Sequence, residues 1–157
     1  HDSPQETMFK NIHAAIDGSP SSIKTLDYAA HLANNENATL HIISAAEPLP
    51  TLTTPSGTNQ YMPQYQDDIH KALTEIQQTQ TKRLAKLYPD LKTTTKVIDG
   101  RPVPVIRKAT KGTDLIVIGH RGHGAILSLV LGSVAKQIVD TCTAPVLVVK
   151  DQDYCPA

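Results

Sequence analysis

Four apolar residues in a row, Leu115, Ile116, Val117 and Ile118, stand inside the short segment TDLIVIG at 113–119. A strand with one wet face alternates apolar and polar side chains. A strand buried on both faces reads as a continuous run. This run therefore asks for a sheet covered by helices on both sides, and the chain supplies them in alternation. KNIHAAI (10–16) is a short strand ending at the turn DGSP. Ser19 is placed to cap the helix that follows, with Pro20 in its first turn. Leu26, Ala29, Ala30 and Ala33 recur at i, i+3, i+4 and i+7, one apolar helical face, and NNEN (34–37) ends that helix. ATLHIISAA (38–46) is the second strand.

Residues 47–65 carry four prolines, one glycine and many Thr and Ser, and read as a long loop. A helix over 66–87 follows, with Ile69, Leu73, Ile76, Leu84 and Leu87 on its inner side. KTTTKVID (92–99) is a third strand, poor enough in apolar residues to sit at a sheet edge. GRPVPVIRKATKG (100–112) holds a short helix, with Pro102 in its first turn and Gly112 closing it. After the strand 113–119, a last helix runs from Gly132 to Thr141 with Ala135, Ile138, Val139 and Cys142 on one face. APVLVVK (144–150) is the final strand. The alternation predicts an α/β, doubly wound, Rossmann-like domain with parallel strands and right-handed crossovers.

Composition agrees and removes other classes. The 157 residues suit one domain, and 39% apolar content suits a globular one. Lys plus Arg and Asp plus Glu balance at 15 each, so no net charge draws the chain to nucleic acid or to an anionic membrane. With no Trp and one Phe it offers no base-stacking platform. No apolar run is long enough to span a bilayer and no secretory signal is visible, so a reducing, cytoplasmic setting is expected. Cys142 and Cys155 make no disulfide framework, and Cys142 reads as a buried thiol. HDSPQET (1–7) reads as a leader or remnant before Met8, and 151–157 as a polar tail, leaving a domain at 8–150.

In open parallel sheets ligands bind beyond the carboxyl ends of the strands, at the point where strand order reverses. Two such ends carry distinctive turns, DGSP after the first strand and GHRGHG after the fourth. Strands one and four are expected to be neighbours, so both turns face one crevice. Four of the eight glycines fall in GHRGHGAILSLVLGS (119–133). Gly119 and Gly122 let a loop pass close to a ligand. Gly132 and Ser133 open a helix whose N–H groups favour an anion. Ser133 either gives its hydroxyl to that anion or caps the helix. The stretch lacks the Gly-Lys-Ser/Thr of a P-loop, and no G-x-G-x-x-G follows the first strand. Arg121 is the nearest cation.

The spacing Gly119-x2-Gly122-x9-Gly132-Ser133, followed by a helix and APVLVVK, resembles the nucleotide-binding type of universal stress protein. IDGSP, TLHIIS and TDLIVIG match the family's turn and strands, and the likeness spans 8–150. The resemblance implies five parallel strands in the order 3-2-1-4-5, a homodimer, and ATP held across the strand ends with a divalent metal, Mg2+ or Mn2+. By position, Ala15 and Ile42 would line the adenine, and Asp17 would lie near the nucleotide. Gly119, Gly122, Gly132, Ser133 and Val134 would meet phosphate and ribose. His120 and Arg121 stand where the family often has small or polar residues, and would strengthen phosphate binding or tune it with pH. Asp17 is equally suited to an Asx turn capping the first helix. His120 and His123 could be a metal pair, but without a nearby Cys or carboxylate they read better as solvated or phosphate-facing. His13 and His41, inside strands, read as satisfied core or interface histidines, and Asp114 as a turn residue.

Three functions remain open: a nucleotide-dependent stress or signalling regulator with slow or no hydrolysis, a slow ATPase using His120, His123 or Asp17, and a nucleotide-independent interaction module. No G-x-S-x-G elbow and no dedicated general base is visible. If VLVV is a sheet edge, the same strand of a second copy would cover it.

Overall fold

A computed structural model describes residues 6–48, 52–53, 59–60, 63–121 and 131–150. The strands are β1 (Asn11–Ala15), β2 (Thr39–Ala46), β3 (Leu52–Thr53), β4 (Asn59–Gln60), β5 (Lys92–Asp99), β6 (Leu115–Gly119) and β7 (Val146–Val149). The helices are α1 (Pro20–Glu36), α2 (Pro63–Leu87), α3 (Pro102–Ala109) and α4 (Ser133–Thr141). Five strands form one sheet in the order β5-β2-β1-β6-β7, every pair parallel. Counting only that sheet's strands along the chain, this is the expected 3-2-1-4-5. Order reverses between β1 and β6, whose carboxyl ends therefore lie side by side.

Of the stretch 47–65 read as a loop, 49–51, 54–58 and 61–62 lie outside the described residues, and the described part holds two short elements. Leu52–Thr53 pairs antiparallel with Asn59–Gln60, and α2 begins at Pro63 rather than 66. Pro63 is the first helical residue, where a missing N–H costs nothing.

Each helix buries a face against the sheet. α1 and α2 cover one side, where Leu26, Ala30, Ile12, Leu40, Val117 and Leu84 form one apolar cluster. α3 and α4 cover the other, with Ile43, Ile106, Ile116, Ile118 and Ile138. The run Leu115–Ile118 feeds both clusters alternately, as its lack of alternation requires. Two expected inward residues point elsewhere: Leu87 is 59% exposed at the last turn of α2, and Val139 is 44% exposed on α4. Cys142 is half-buried at the C-terminal end of α4 and packs on the second cluster.

The ends of the elements follow local chemistry. Ser19 caps α1, its Oγ accepting from Ser22 N at 3.2 Å, and Pro20 is the first helical residue. Asn37 closes α1 in the left-handed region at φ 54°. α3 ends at Thr110, whose Oγ1 donates to Ile106 O at 2.7 Å, so Gly112 lies beyond the cap in the following turn. Asp114 has the turn role expected of it. Its Oδ2 accepts from Lys10 N at 2.9 Å and Asn11 N at 2.8 Å, which joins the start of β1 to the start of β6. Those two N–H groups, Asn11 first, hold its carboxyl below the usual range. Among the described residues no helix is long and apolar enough to cross a membrane.

Candidate functional site

Strand β1 delivers the first wall of the site. After Ala15 the pairing with β2 continues for one residue, Ile16 N donating to Ile43 O at 3.0 Å. The chain then turns through Asp17, Gly18 and Ser19. Asp17 Oδ1 accepts from Ser19 N at 2.9 Å and from Ser19 Oγ at 2.6 Å, an Asx turn. Gly18 N donates to Ser22 Oγ at 3.1 Å, and that hydroxyl donates to Ser19 O at 2.8 Å. Gly18 sits at φ +87°, and a Cβ there would come within 2.7 Å of Ile76 Cδ1 on α2. The glycine of DGSP is thus required both by its backbone angle and by the close passage of α2.

Strand β6 delivers the second wall. His120 N donates to Val149 O at 2.8 Å, extending the pairing with β7 past Gly119. Gly132 N then donates to His120 O at 2.9 Å. This one bond joins the two ends of the glycine pattern, with Gly122 and His123 lying between them and outside the described residues. Gly132 is the N-cap of α4, extended at φ −61° and ψ 156°, with no side-chain hydrogen bond to the cap. Lys136 N is the first to bond back, to Gly132 O at 2.9 Å. The N–H groups of Ser133, Val134 and Ala135 therefore have no acceptor inside the helix. Ser133 does not act as the cap; Gly132 does.

Between these walls lies a cavity of about 1240 Å³ beyond the carboxyl ends of the strands. Its phosphate-competent end is formed by Gly119, Arg121, Gly132, Ser133 and Val134. Arg121 is 7% exposed, so its charge is held against the cavity wall rather than in open solvent. Further along, Ala15, Ile43, Ala45, Val105 and Ile106 give an apolar floor. Arg101 follows the end of β5, and Tyr65 and Asp68 come from the first turns of α2. Gln66 ties that end of α2 down, its Nε2 donating to Ala46 O at 3.1 Å and to Asp99 Oδ1 at 3.0 Å.

Most of the residues singled out in the sequence meet here: Ala15, Asp17, Gly119, Arg121, Gly132, Ser133 and Val134 all line the cavity. Two do not. Ile42 is fully buried in the cluster beneath α1 and α2, and its neighbour Ile43 faces the cavity instead. Successive strand residues point to opposite faces, so a one-residue slip exchanges core for site. His120 is 7% exposed and contributes its backbone, as the link between β7 and Gly132, but is not part of the lining. Ala45, Arg101 and Tyr65 were missed. Ala45 follows by counting two from Ile43, and Arg101 from its place in the turn after a strand, one residue beyond Gly100. Among the described residues no group of three or more His, Cys, Asp or Glu could hold a metal ion.

A doubly wound parallel sheet with a crevice at its switch point defines the class of open α/β domains whose ligand sites lie beyond the carboxyl ends of the strands. The comparisons sharpen that class. Residues 8–150 match the model of the universal stress protein family. Universal stress protein YxiE of Bacillus subtilis is 30% identical over 150 residues, covering 91% of this chain and all of that one. The universal stress protein UspA from Lactobacillus plantarum superposes with a TM-score of 0.75 at 20% identity, over 90% of this chain and 97% of that one. A universal stress protein solved in complex with cAMP gives 0.68 at 23% identity, over 92% and 98%. The chain belongs to the universal stress protein family.

Proposed function

We propose that this protein binds ATP in the strand-end cavity and acts as a nucleotide-dependent regulator in a stress response, with slow or no hydrolysis. The observation that carries the reading is the junction of the two glycine ends. The Gly132–His120 bond brings the start of α4, whose first three N–H groups have no acceptor within the helix, to the chain segment of the buried Arg121, and both line one cavity with an apolar floor. Helix N-termini and a guanidinium suit phosphates, and an apolar floor suits a purine. The relative solved with cAMP shares the fold and supports an adenine nucleotide as the ligand class.

Mg2+ or Mn2+ would be held chiefly by the phosphates, since Asp17 is the sole described carboxylate beside the glycine end and its Oδ1 already accepts from Ser19 twice. Among the described residues no His lines the cavity, and Asp17, the carboxylate beside the glycine end, is engaged with Ser19; slow or no turnover is the reading we adopt. Strand β7 is an edge of the sheet, and Val146, Leu147 and Val148 on it are only partly covered. Pairing with the same strand of a second copy would remove that edge, giving the homodimer.

Calorimetry with Mg-ATP tests the reading, together with assay of the supernatant of the heat-denatured protein for released ATP or ADP. Saturable binding with a near-unit stoichiometry is expected. Folded protein that shows no heat at millimolar nucleotide and releases none refutes it. Light scattering behind size exclusion, before and after substitution of Leu147 by Lys, tests the dimer.

A further inference from the structure

At the opposite end of β1 and β2 from the cavity lies a polar cluster that the nucleotide reading does not use. His13 and His41 are direct cross-strand partners in the parallel register. Their rings stack with centroids 4.5 Å apart and planes inclined by 22°. Each ring is fixed by hydrogen bonds. His41 Nε2 lies 2.8 Å from Asn11 Oδ1, and its Nδ1 lies 2.6 Å from Thr94 Oγ1. The amide oxygen can only accept, so Nε2 carries the proton and Nδ1 accepts from the threonine. Thr113 Oγ1 donates to Asn11 O at 3.0 Å, which leaves it to accept from His13 Nδ1 at 2.7 Å. In their neutral forms both rings thus have tautomers set by these neighbours.

The surroundings are cationic. Lys96 of β5 lies on the same side of the pair, and α3, on that face, carries Arg107 and Lys108 and no acid. α4 carries Lys136 and Asp140, both exposed. Asp114, at the head of β6, has its Oδ2 committed to the N–H groups of Lys10 and Asn11.

We propose that the His13–His41 stack is an acid-sensitive latch on the two strands that carry the cavity floor: neutral, it pins β1 against β2; protonated, it forces them apart. Protonating either ring puts a cation in van der Waals contact with the other imidazole and near Lys96. Among the described residues no carboxylate is paired with either ring to welcome the charge. Burial, then His41, then Lys96 lower the His13 pKa from 6.5 to about 4, and burial followed by Lys96 lowers that of His41. With the folded pKa below the unfolded one, the unfolded chain binds protons first. The latch is therefore fully effective above about pH 6.5 and is lost as pH falls toward 4. For His13 alone, linkage over pH 7 to 5 raises the unfolding constant roughly twentyfold. Half-exposure of the ring reduces this to about fivefold.

The test is a pH series of urea unfolding on the full chain, with nitrogen-15 imidazole spectra recorded on the same samples. His13 is expected to titrate below pH 5, and His41 Nε2 to show the protonated tautomer at pH 7. The unfolding constant should rise about fivefold between pH 7 and 5. His41→Gln should move the His13 titration upward and flatten the acid slope. Lys96→Met, at an exposed position that leaves the strand intact, should do so more weakly. His13 titrating at or above 6.5, or an acid slope identical in wild type, His41→Gln and Lys96→Met, overturns the proposal.

Discussion

The turn between β1 and α1 makes a demand that one added methyl group can measure. Gly18 sits at φ +87°, and a Cβ built on it would lie 2.7 Å from Ile76 Cδ1. For Gly18→Ala, the left-handed backbone costs about 1–2 kcal/mol. The collision adds about 1 kcal/mol, near the low end for overpacking, because the atom met is the tip of a flexible side chain. Stiffening of the unfolded chain offsets about 0.4–1 kcal/mol. The expected net loss is about 2 kcal/mol. Gly112→Ala is the matched control. It has φ +76° but nothing within 4 Å of the added Cβ, so only the backbone cost applies and the loss should be about 1 kcal/mol smaller.

Urea unfolding of the two variants, with unchanged m values, reads this difference as a gap between midpoints. A double-mutant cycle isolates the contact further. Ile76→Val deletes Cδ1 itself, so Gly18→Ala should cost about 1 kcal/mol less in the Val background than in the Ile one. Equal losses for Gly18→Ala and Gly112→Ala, with no coupling to Ile76→Val, would refute the claim that α2 closes on the turn. The same contact bears on binding, since Ile76 lines the cavity. If the packing is as described, Gly18→Ala also weakens ATP.

Three further outcomes are expected. Ser133→Pro removes one N–H from the first turn of α4 while suiting both that position and the extended Gly132 before it, so the fold should stand and ATP affinity should fall about tenfold in calorimetry. Ile42→Ala should cost about 2–5 kcal/mol in urea and leave nucleotide affinity nearly unchanged in the folded protein, whereas Ile43→Ala should alter affinity, because Ile43 lines the cavity and Ile42 does not. Asp114 has its carboxyl pKa lowered by the N–H groups of Asn11 and Lys10, so its contribution stands above the usual carboxylate range and fades as pH drops through the folded value; Asp114→Asn should lower the stability of the protein at pH 7 and flatten the acid limb of its stability curve below pH 4.

The fold was legible wherever local chemistry and global packing agreed. Leu115–Ile118 announced a two-sided strand, and the Ser19–Pro20 pair announced a helix start, because each signal is complete within a few residues. Register was not legible. Ile42 and Ile43 are both apolar and both buried, so β2 carries no alternation there to say which residue faces which side. Nothing in the chain announces that His13 and His41 stack, either. They are 28 positions apart by number, and only the pairing of Asn11 with Thr39 brings them level. Pro63 resembles loop in a proline-rich stretch, so the sequence pattern starts α2 at 66 rather than 63, although proline is at home at the first helical position. Leu87 and Val139 fit the apolar period of their helices, but neither is covered where its helix ends or turns from the sheet.

The helix ends around the crevice also give the proposed ligand a direction. α1 keeps one first-turn donor, Ser21 N: Pro20 has no N–H, and Ser22 N is taken by Ser19 Oγ. α3 has proline at 102 and 104, and Val105 N already donates to Arg101 O, so Val103 alone offers a first-turn donor. α4 differs, with three consecutive N–H groups and no capping side chain. The charges lining the cavity differ between its two ends. Glu47 and Asp68 line the β2 and α2 end together with Arg101, while Arg121 lines the α4 end with Asp17 nearby. A triphosphate laid toward Glu47 would meet two carboxylates against one guanidinium and few backbone donors. Laid toward Gly132 it meets a positive helix end and a guanidinium. The base then falls on the apolar floor of Ala15, Ile43 and Ala45. That polarity comes from where the prolines and the uncapped glycine stand, and it needs no lysine of the P-loop kind.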